Sequence, residues 1–250
     1  MPEFTGTDEQ LRHACTSPPE WLFISLMPSR PPRTSPKDTQ PKSPRWQPAP
    51  VPPGAARVFR VRITLLDTSA EIWRQVLVPA DIRLDQMHGV IQLAMGWDNS
   101  HMHQFIKGAR EVLFRVAGQI DNDGFSFPGR ARPPMADEAR VRLDQVLPAV
   151  GEAFGYEYDF GDSWEHAIEV GEILPRPADF KGPVCLAGER ACPPEDCGGV
   201  PGFEDILRLC AKSADEDDGE DAERREWLGE FDPAKFDLAA VNRDLRRIKC

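Results

Sequence analysis

The 250-residue chain lacks positive charge: 30 lysines and arginines stand against 41 acidic residues, for a formal net charge of -11. That balance gives no support to a whole-chain attraction to DNA, RNA or an anionic membrane. Cysteine is also scarce. The six present (Cys15, Cys185, Cys192, Cys197, Cys210 and Cys250) are spaced too irregularly for a small disulfide scaffold. No secretory signal precedes them, so a reducing cytoplasm is the expected compartment. Long apolar runs are missing as well. The N-terminal run at residues 21–27 is about a third of the roughly 20 residues a spanning helix needs, and no membrane segment is expected.

Several catalytic signatures are equally absent. A serine resolvase needs a nucleophilic serine among arginines and a basic DNA-binding segment, and the chain has neither. Asp159-Phe160-Gly161 spells the kinase magnesium motif, yet no glycine-rich phosphate loop or His-Arg-Asp loop precedes it. There is no His-Glu-x-x-His or Cys-x-x-Cys, and Cys185, Cys192 and Cys197 are spaced more loosely than zinc ligands usually are. Ser163 and His166 are an odd number of residues apart. On a strand they point to opposite faces, which removes a nucleophile and base pair.

The strongest positive signal is residues 156–170. Tyr156, Tyr158, Phe160, Trp164, Ile168 and Val170 share one strand parity, while Glu157, Asp159, Ser163, Glu165 and Glu169 share the other. Asp162 and His166 fall on the aromatic face, where an ionisable group is costly unless paired or bound. A two-residue loop at Gly161-Asp162 would mix aromatic and acidic residues on both faces. Two arrangements keep them apart: a strand bent at Gly161, which is the first expectation, or a Gly161-Asp162-Ser163 loop pairing Phe160 with Trp164 and Tyr158 with His166. Either suggests a positive φ at Gly161, in which case Gly161→Ala costs about 1 kcal/mol or more.

Residues 1–55 hold 13 of the 25 prolines and read as a disordered tail. Alternation from Val58 to Leu65 and from Ile72 to Val78 predicts an antiparallel pair. Apolar residues at Leu84, Met87, Val90, Ile91, Ala94 and Met95 predict a helix closed by Gly96. Residues 101–106 and 111–116 read as strands, 117–140 as a long loop, and 143–150 as a short helical turn broken at Pro148. Residues 181–202 read as loop, 203–211 as helix, 215–221 as a solvated acidic run, and 233–248 as a last helix beginning at Pro233. The expected fold class is α+β, with one domain over residues 56–250: an antiparallel β-sheet with helices packed on it.

These blocks resemble the plasmid pRiA4b ORF-3-like family over roughly residues 57–248. The resemblance lies in Leu84 to Trp97 with His101 and Phe105, Tyr158 to His166, Pro193-Pro194-Glu195-Asp196 with Gly198-Gly199, and Phe231-Asp232-Pro233. It implies an α+β domain without an established activity, found in plasmids, mobile elements and bacterial chromosomes. The resolvase label sometimes attached to that family has no support in these residues.

Two functional expectations follow. The first is a non-enzymatic accessory or binding module with an acidic, aromatic-lined cleft formed by Tyr158, Asp159, Asp162, Trp164, His166, Glu195 and Asp196. Its expected partner is a protein or a small polar ligand, cationic or polar in character. The bland alternative for Glu195 and Asp196 is that they cap the helix from Phe203. The second expectation is a metal-dependent hydrolase or nuclease using His101, His103, Asp162 and His166, since imidazole with carboxylate suits divalent cations. No other cofactor is called for.

Overall fold

The computed structural model describes residues 56–109, 111–117, 135–213 and 218–249. The expected tail over residues 1–55 and most of the expected 117–140 loop lie outside them. The first described strand, β1 (Arg57–Leu65), buries Phe59, Val61, Ile63 and Leu65 and half-exposes Arg60, Arg62 and Thr64 between them. β2 (Ile72–Pro79) returns antiparallel to it, with Val61 opposite Val76 and Ile63 opposite Arg74. Helix α1 (Leu84–Met95) has the predicted bounds, and Gly96 ends it in the left-handed conformation at φ 103°. Its Leu84, Met87, Val90, Ile91 and Ala94 are fully buried, each large side chain contributing roughly 1.5–3 kcal/mol of apolar burial.

The remaining elements are β3 (His103–Lys107), β4 (Val112–Arg115), β5 (Met135–Asp137), a 3-10 turn (Glu138–Arg140), α2 (Leu143–Val146), β6 (Ala153–Tyr158) and β7 (Trp164–Pro175), followed by β8 (Val184–Glu189), α3 (Gly199–Ala211), α4 (Gly219–Leu228) and α5 (Leu238–Leu245). The strands form an eight-stranded sheet in the order β5-β4-β3-β6-β7-β1-β2-β8. Every neighbouring pair is antiparallel except β4 with β5. The α+β class and the helix-covered sheet are therefore as expected.

The chain turns after Tyr158, by neither of the two routes expected from parity. β6 and β7 form a hairpin with Tyr158 opposite Trp164 and Tyr156 opposite His166, leaving residues 159–163 as a five-residue turn. Asp159 (φ 55°) and Ser163 (φ 56°) take the left-handed conformation, not Gly161. The Gly161 N–H donates to Asp159 Oδ1 at 2.8 Å, and Ser163 N–H donates to Asp159 O at 2.6 Å. Relative to the three-residue loop the register moves by two, and a shift of two returns each side chain to its face. Phe160 is the exception. It leaves the core and lies against the Arg115 guanidinium, 5.2 Å from ring centre to carbon.

Three further corrections concern segments read as loop or placed at other bounds. β8 lies within the expected 181–202 loop, with Val184 and Leu186 exposed. Its strand character comes from backbone pairing with β2 rather than from alternation that a sequence reveals. On its outer edge, Asn242 of α5 donates to Cys185 O and accepts from Cys185 N, both at 2.8 Å. The acidic run gives way to α4, because the Asp218 side chain accepts from the N–H groups of Glu220 and Asp221. The last helix starts at Leu238, after Pro233, with Asp237 accepting from Ala240 N–H.

Arg74 on β2 is almost completely buried. It donates to the carbonyls of Ala94, Trp73, Glu189 and Arg190 at 2.8–2.9 Å, and its guanidinium stacks on Phe236 at 4.4 Å. One cation thus ties α1, β2, the end of β8 and the C-terminal segment together.

Candidate metal centre

Three chain segments meet at the end of the β6–β7 hairpin. The first follows α1, where Trp97 leaves the helix, lies 4.8 Å from the Tyr158 ring and donates through Nε1 to Pro193 O at 3.1 Å. The next residues are pinned from the helix itself: Asn99 N–H donates to Gln92 Oε1 at 2.9 Å, and His88 Nε2 meets Asn99 Oδ1 at 2.7 Å. The second segment is the 159–163 turn, where Asp159 N–H donates to Met102 O at 2.9 Å and sets its side chain beside His101. The third is the rigid Pro193-Pro194-Glu195-Asp196 stretch before α3.

His101 sits at the convergence, about one-quarter exposed (26%). Its Nδ1 is 3.7 Å from Asp159 Oδ2, and its Nε2 is 3.1 Å from Asp196 Oδ1 and 3.9 Å from Glu195 Oε2. Donor atoms of His101, Asp159 and Asp196 all lie within 4.8 Å of one another. Glu195 is held from its other oxygen, which accepts from Tyr158 Oη at 3.0 Å and from Asp98 N–H at 3.1 Å. The Tyr158 hydroxyl in turn accepts from Ser100 N–H at 3.1 Å. Burial, reinforced by the Asp98 charge, holds the Glu195 carboxyl above its ordinary range. Burial likewise pushes the Tyr158 phenol up to about 12, so it remains a donor at neutral pH.

Backbone strain concentrates at this corner. Of the six non-glycine residues with positive φ among the described residues, Asn99, Asp159, Ser163 and Asp196 all border it. Such conformations persist where surrounding contacts over-determine them, and they gather at functional sites.

The expected site residues divide. Asp159, Glu195 and Asp196 meet His101, and the Tyr158 hydroxyl supports them. Trp164 and His166 do not line an opening: both are buried, His166 at 1% exposure. The aromatic face is core, and it fills the space where a cleft was expected. His166 Nδ1 faces the carbonyls of Trp164 and Tyr156 at 3.0 and 3.3 Å, and burial lowers its pKa to about 4. Asp162 turns away to accept from Gly198 N–H at 3.1 Å, at the start of α3. It is Asp162, not Glu195 or Asp196, that meets the backbone at this helix end, and the helix begins at Gly199 rather than Phe203.

The set His101, His103, Asp162 and His166 therefore does not converge. His103 is buried, stacked on His88 and bonded to Glu138 at 3.0 Å. Its shared parity with His101 has no force, because β3 begins only at His103 and Met102 is 51% exposed. Asp98 and Ser100, which brace Glu195 and Tyr158, carried no motif in the sequence. Their position just past the Gly96 helix end was the available signal.

The fold and this corner define an α+β domain in which a helix-covered, mainly antiparallel sheet presents one histidine to several carboxylates. The chain belongs to the plasmid pRiA4b ORF-3-like protein family, whose model matches residues 57–240. It is 37% identical over 188 residues to the uncharacterized protein y4hQ of Sinorhizobium fredii, covering 75% of this chain and 87% of that one. The crystal structure of a protein of unknown function, MM3350 from Methanosarcina mazei Go1, is similar with a TM-score of 0.62 and 28% identity. It covers 74% of this chain and 98% of that chain. Among the described residues no helix is long and apolar enough to cross a membrane.

Proposed function

We propose that this chain is a non-enzymatic accessory module that binds a positively charged group at the corner around His101. One observation carries the reading. Asp98, Asp159, Glu195 and Asp196 gather there, and among the described residues no lysine or arginine forms an ion pair with any of them. Like charges held this close repel unless a cation joins them. The free thiols of Cys185, Cys192, Cys197 and Cys210 support a reducing compartment.

The test uses terbium(III) as a generic cation probe for carboxylate oxygens. Trp97 packs against Tyr158, with ring centroids 4.8 Å apart, and the Tyr158 hydroxyl bonds Glu195, which places an indole near enough to sensitise terbium emission. The full chain gives saturable emission excited through tryptophan, and Asp159→Asn combined with Asp196→Asn reduces it at least tenfold. Absence of sensitised emission at millimolar terbium, or an unchanged response in the double variant, defeats the reading.

A further inference from the structure

We propose that the acidic corner is a divalent transition-metal site, with His101 Nε2, Glu195 Oε2 and Asp196 Oδ1 as ligands and Asp159 orienting the imidazole. The inference rests on the reading of the corner as a cation site and narrows it to one class of cation. Two atoms carry it. His101 Nε2 and Glu195 Oε2 are both shielded from water and make no hydrogen bond, yet they face each other at 3.9 Å. Asp196 Oδ1 lies 3.1 Å from the same nitrogen without satisfying it. Buried polar atoms are almost always partnered, and of the unpartnered ones among the described residues these two, one nitrogen and one carboxylate oxygen, stand side by side with a third donor, Asp196 Oδ1, next to them.

The spacing identifies the partner those two atoms lack. Ligands bound to one ion at about 2.0–2.1 Å stand about 3.3 Å apart when tetrahedral, and the two separations from His101 Nε2 bracket that value. Glu195 is not in the set of donor atoms that already lie within 4.8 Å of one another, which is His101, Asp159 and Asp196, so the exposed Asp196 carboxylate swings toward Glu195 when the ion binds. The far side of the ring agrees, since a metal-bound imidazole characteristically presents its other nitrogen to a carboxylate. Here Asp159 Oδ2 stands 3.7 Å from Nδ1, while Oδ1 of the same residue is fixed by Gly161 N–H. Asp159 is thus a positioning residue. Asp196 is 75% exposed, which leaves one side of the cluster open to water or to a further ligand.

Ligand chemistry selects the ion. Calcium and magnesium prefer all-oxygen sites, whereas an imidazole nitrogen beside carboxylates suits zinc, cobalt, manganese or iron(II). Among the described residues no thiolate joins the cluster.

The experiment titrates the full chain with cobalt(II), following its visible bands, and with zinc(II) against a chromophoric chelator, each beside the terbium titration. One equivalent binds. His101→Ala loses cobalt and zinc binding by at least a hundredfold while keeping terbium, whose demand is for oxygen. Asp159→Asn weakens cobalt by about 10- to 100-fold and shifts its bands, the size expected for an outer-shell partner. Asp162→Asn, outside the cluster, leaves cobalt affinity unchanged, and circular dichroism of each variant verifies the fold. If the parent binds terbium but not cobalt or zinc, the transition-metal assignment is wrong and the cation reading stands. If His101→Ala binds cobalt as the parent does, the assignment is wrong as well.

Discussion

The imidazoles of His88 and His103 lie face to face in the core, ring centroids 3.5 Å apart and planes 3° from parallel. The partners of His88 define its tautomer. Asn99 Oδ1 can only accept, so Nε2 carries the proton at 2.7 Å, and Nδ1 accepts from the Tyr156 hydroxyl at 2.8 Å. Tyr156 Oη accepts in turn from Gln92 at 3.0 Å. The whole network requires a neutral ring. Since Gln92 and His88 also hold Asn99, this buried chemistry stiffens the loop that carries His101.

Acid should therefore weaken the fold. Burial, with the neighbouring His103 adding, lowers the His88 pKa to about 3, and burial lowers His166 to about 4. Both fall below the ordinary value near 6.5, so the unfolded chain takes up protons that the folded chain refuses. Stability is unaffected by these residues well above pH 6.5 and falls as pH drops from there toward 4. The two together contribute a slope of roughly 2.7 kcal/mol per pH unit near pH 5. Urea midpoints between pH 7.5 and 4.5 measure it, and His88→Gln should remove about one proton from the slope. An equal slope in parent and variant contradicts the assignment.

Arg74→Met should destabilise by about 3–5 kcal/mol, although Met fits a hydrophobic core. The guanidinium satisfies carbonyls of Ala94, Trp73, Glu189 and Arg190, and none of these finds a new donor in a thioether. Arg74→Lys should recover only part of the loss, because an ammonium cannot reach four diverging carbonyls. A Lys variant as stable as the parent would show that charge alone matters there.

Gly202 and Gly161 should respond in opposite ways to alanine. A Cβ on Gly202 would stand 1.8 Å from the backbone oxygen of Cys197, a clash that costs about 3 kcal/mol or more. At Gly161 the nearest atom is Asp159 Oδ1 at 3.2 Å and φ is not positive. Gly161→Ala should therefore stay within about 1 kcal/mol of the parent, less than parity alone suggested. Thermal melts of the two variants decide the order.

Tyr158→Phe removes the hydroxyl that donates to Glu195 and accepts from Ser100. A loss of about 1–3 kcal/mol is expected from the groups left unpaired. Terbium affinity should fall several-fold at the same time, because Glu195 loses a restraint. Unchanged terbium affinity in a folded variant would separate Tyr158 from the site.

Residues whose meaning is local were readable. The face of Tyr156, Tyr158, Trp164, Ile168 and Val170, the bounds of α1 and the Gly96 stop all follow from periodicity and backbone preference. Loop length was not, because a five-residue turn and a three-residue turn preserve the same parity. His101 meets Asp196 across 95 positions of chain, and only the Pro193-Pro194 stretch and the Asp159 turn bring them together. Glu195 and Asp196 could be named as cleft residues and His101 as a ligand, but nothing in the sequence joined the two groups. Parity misled at His103 and His166, because a core can hold an imidazole that bonds to a buried partner or to carbonyls.

The side chain of Asn242 gives the sheet a border. By donating to Cys185 O and accepting from Cys185 N, it does for that residue what a neighbouring strand would do, with one amide in place of a whole chain. Open strand edges invite pairing with other molecules. β8 carries exposed Val184 and Leu186, the apolar kind of edge most prone to such growth. A helix residue that closes the hydrogen bonds of Cys185 shortens the open stretch of that edge, and losing it would be felt in shelf life and concentration limits more than in unfolding free energy.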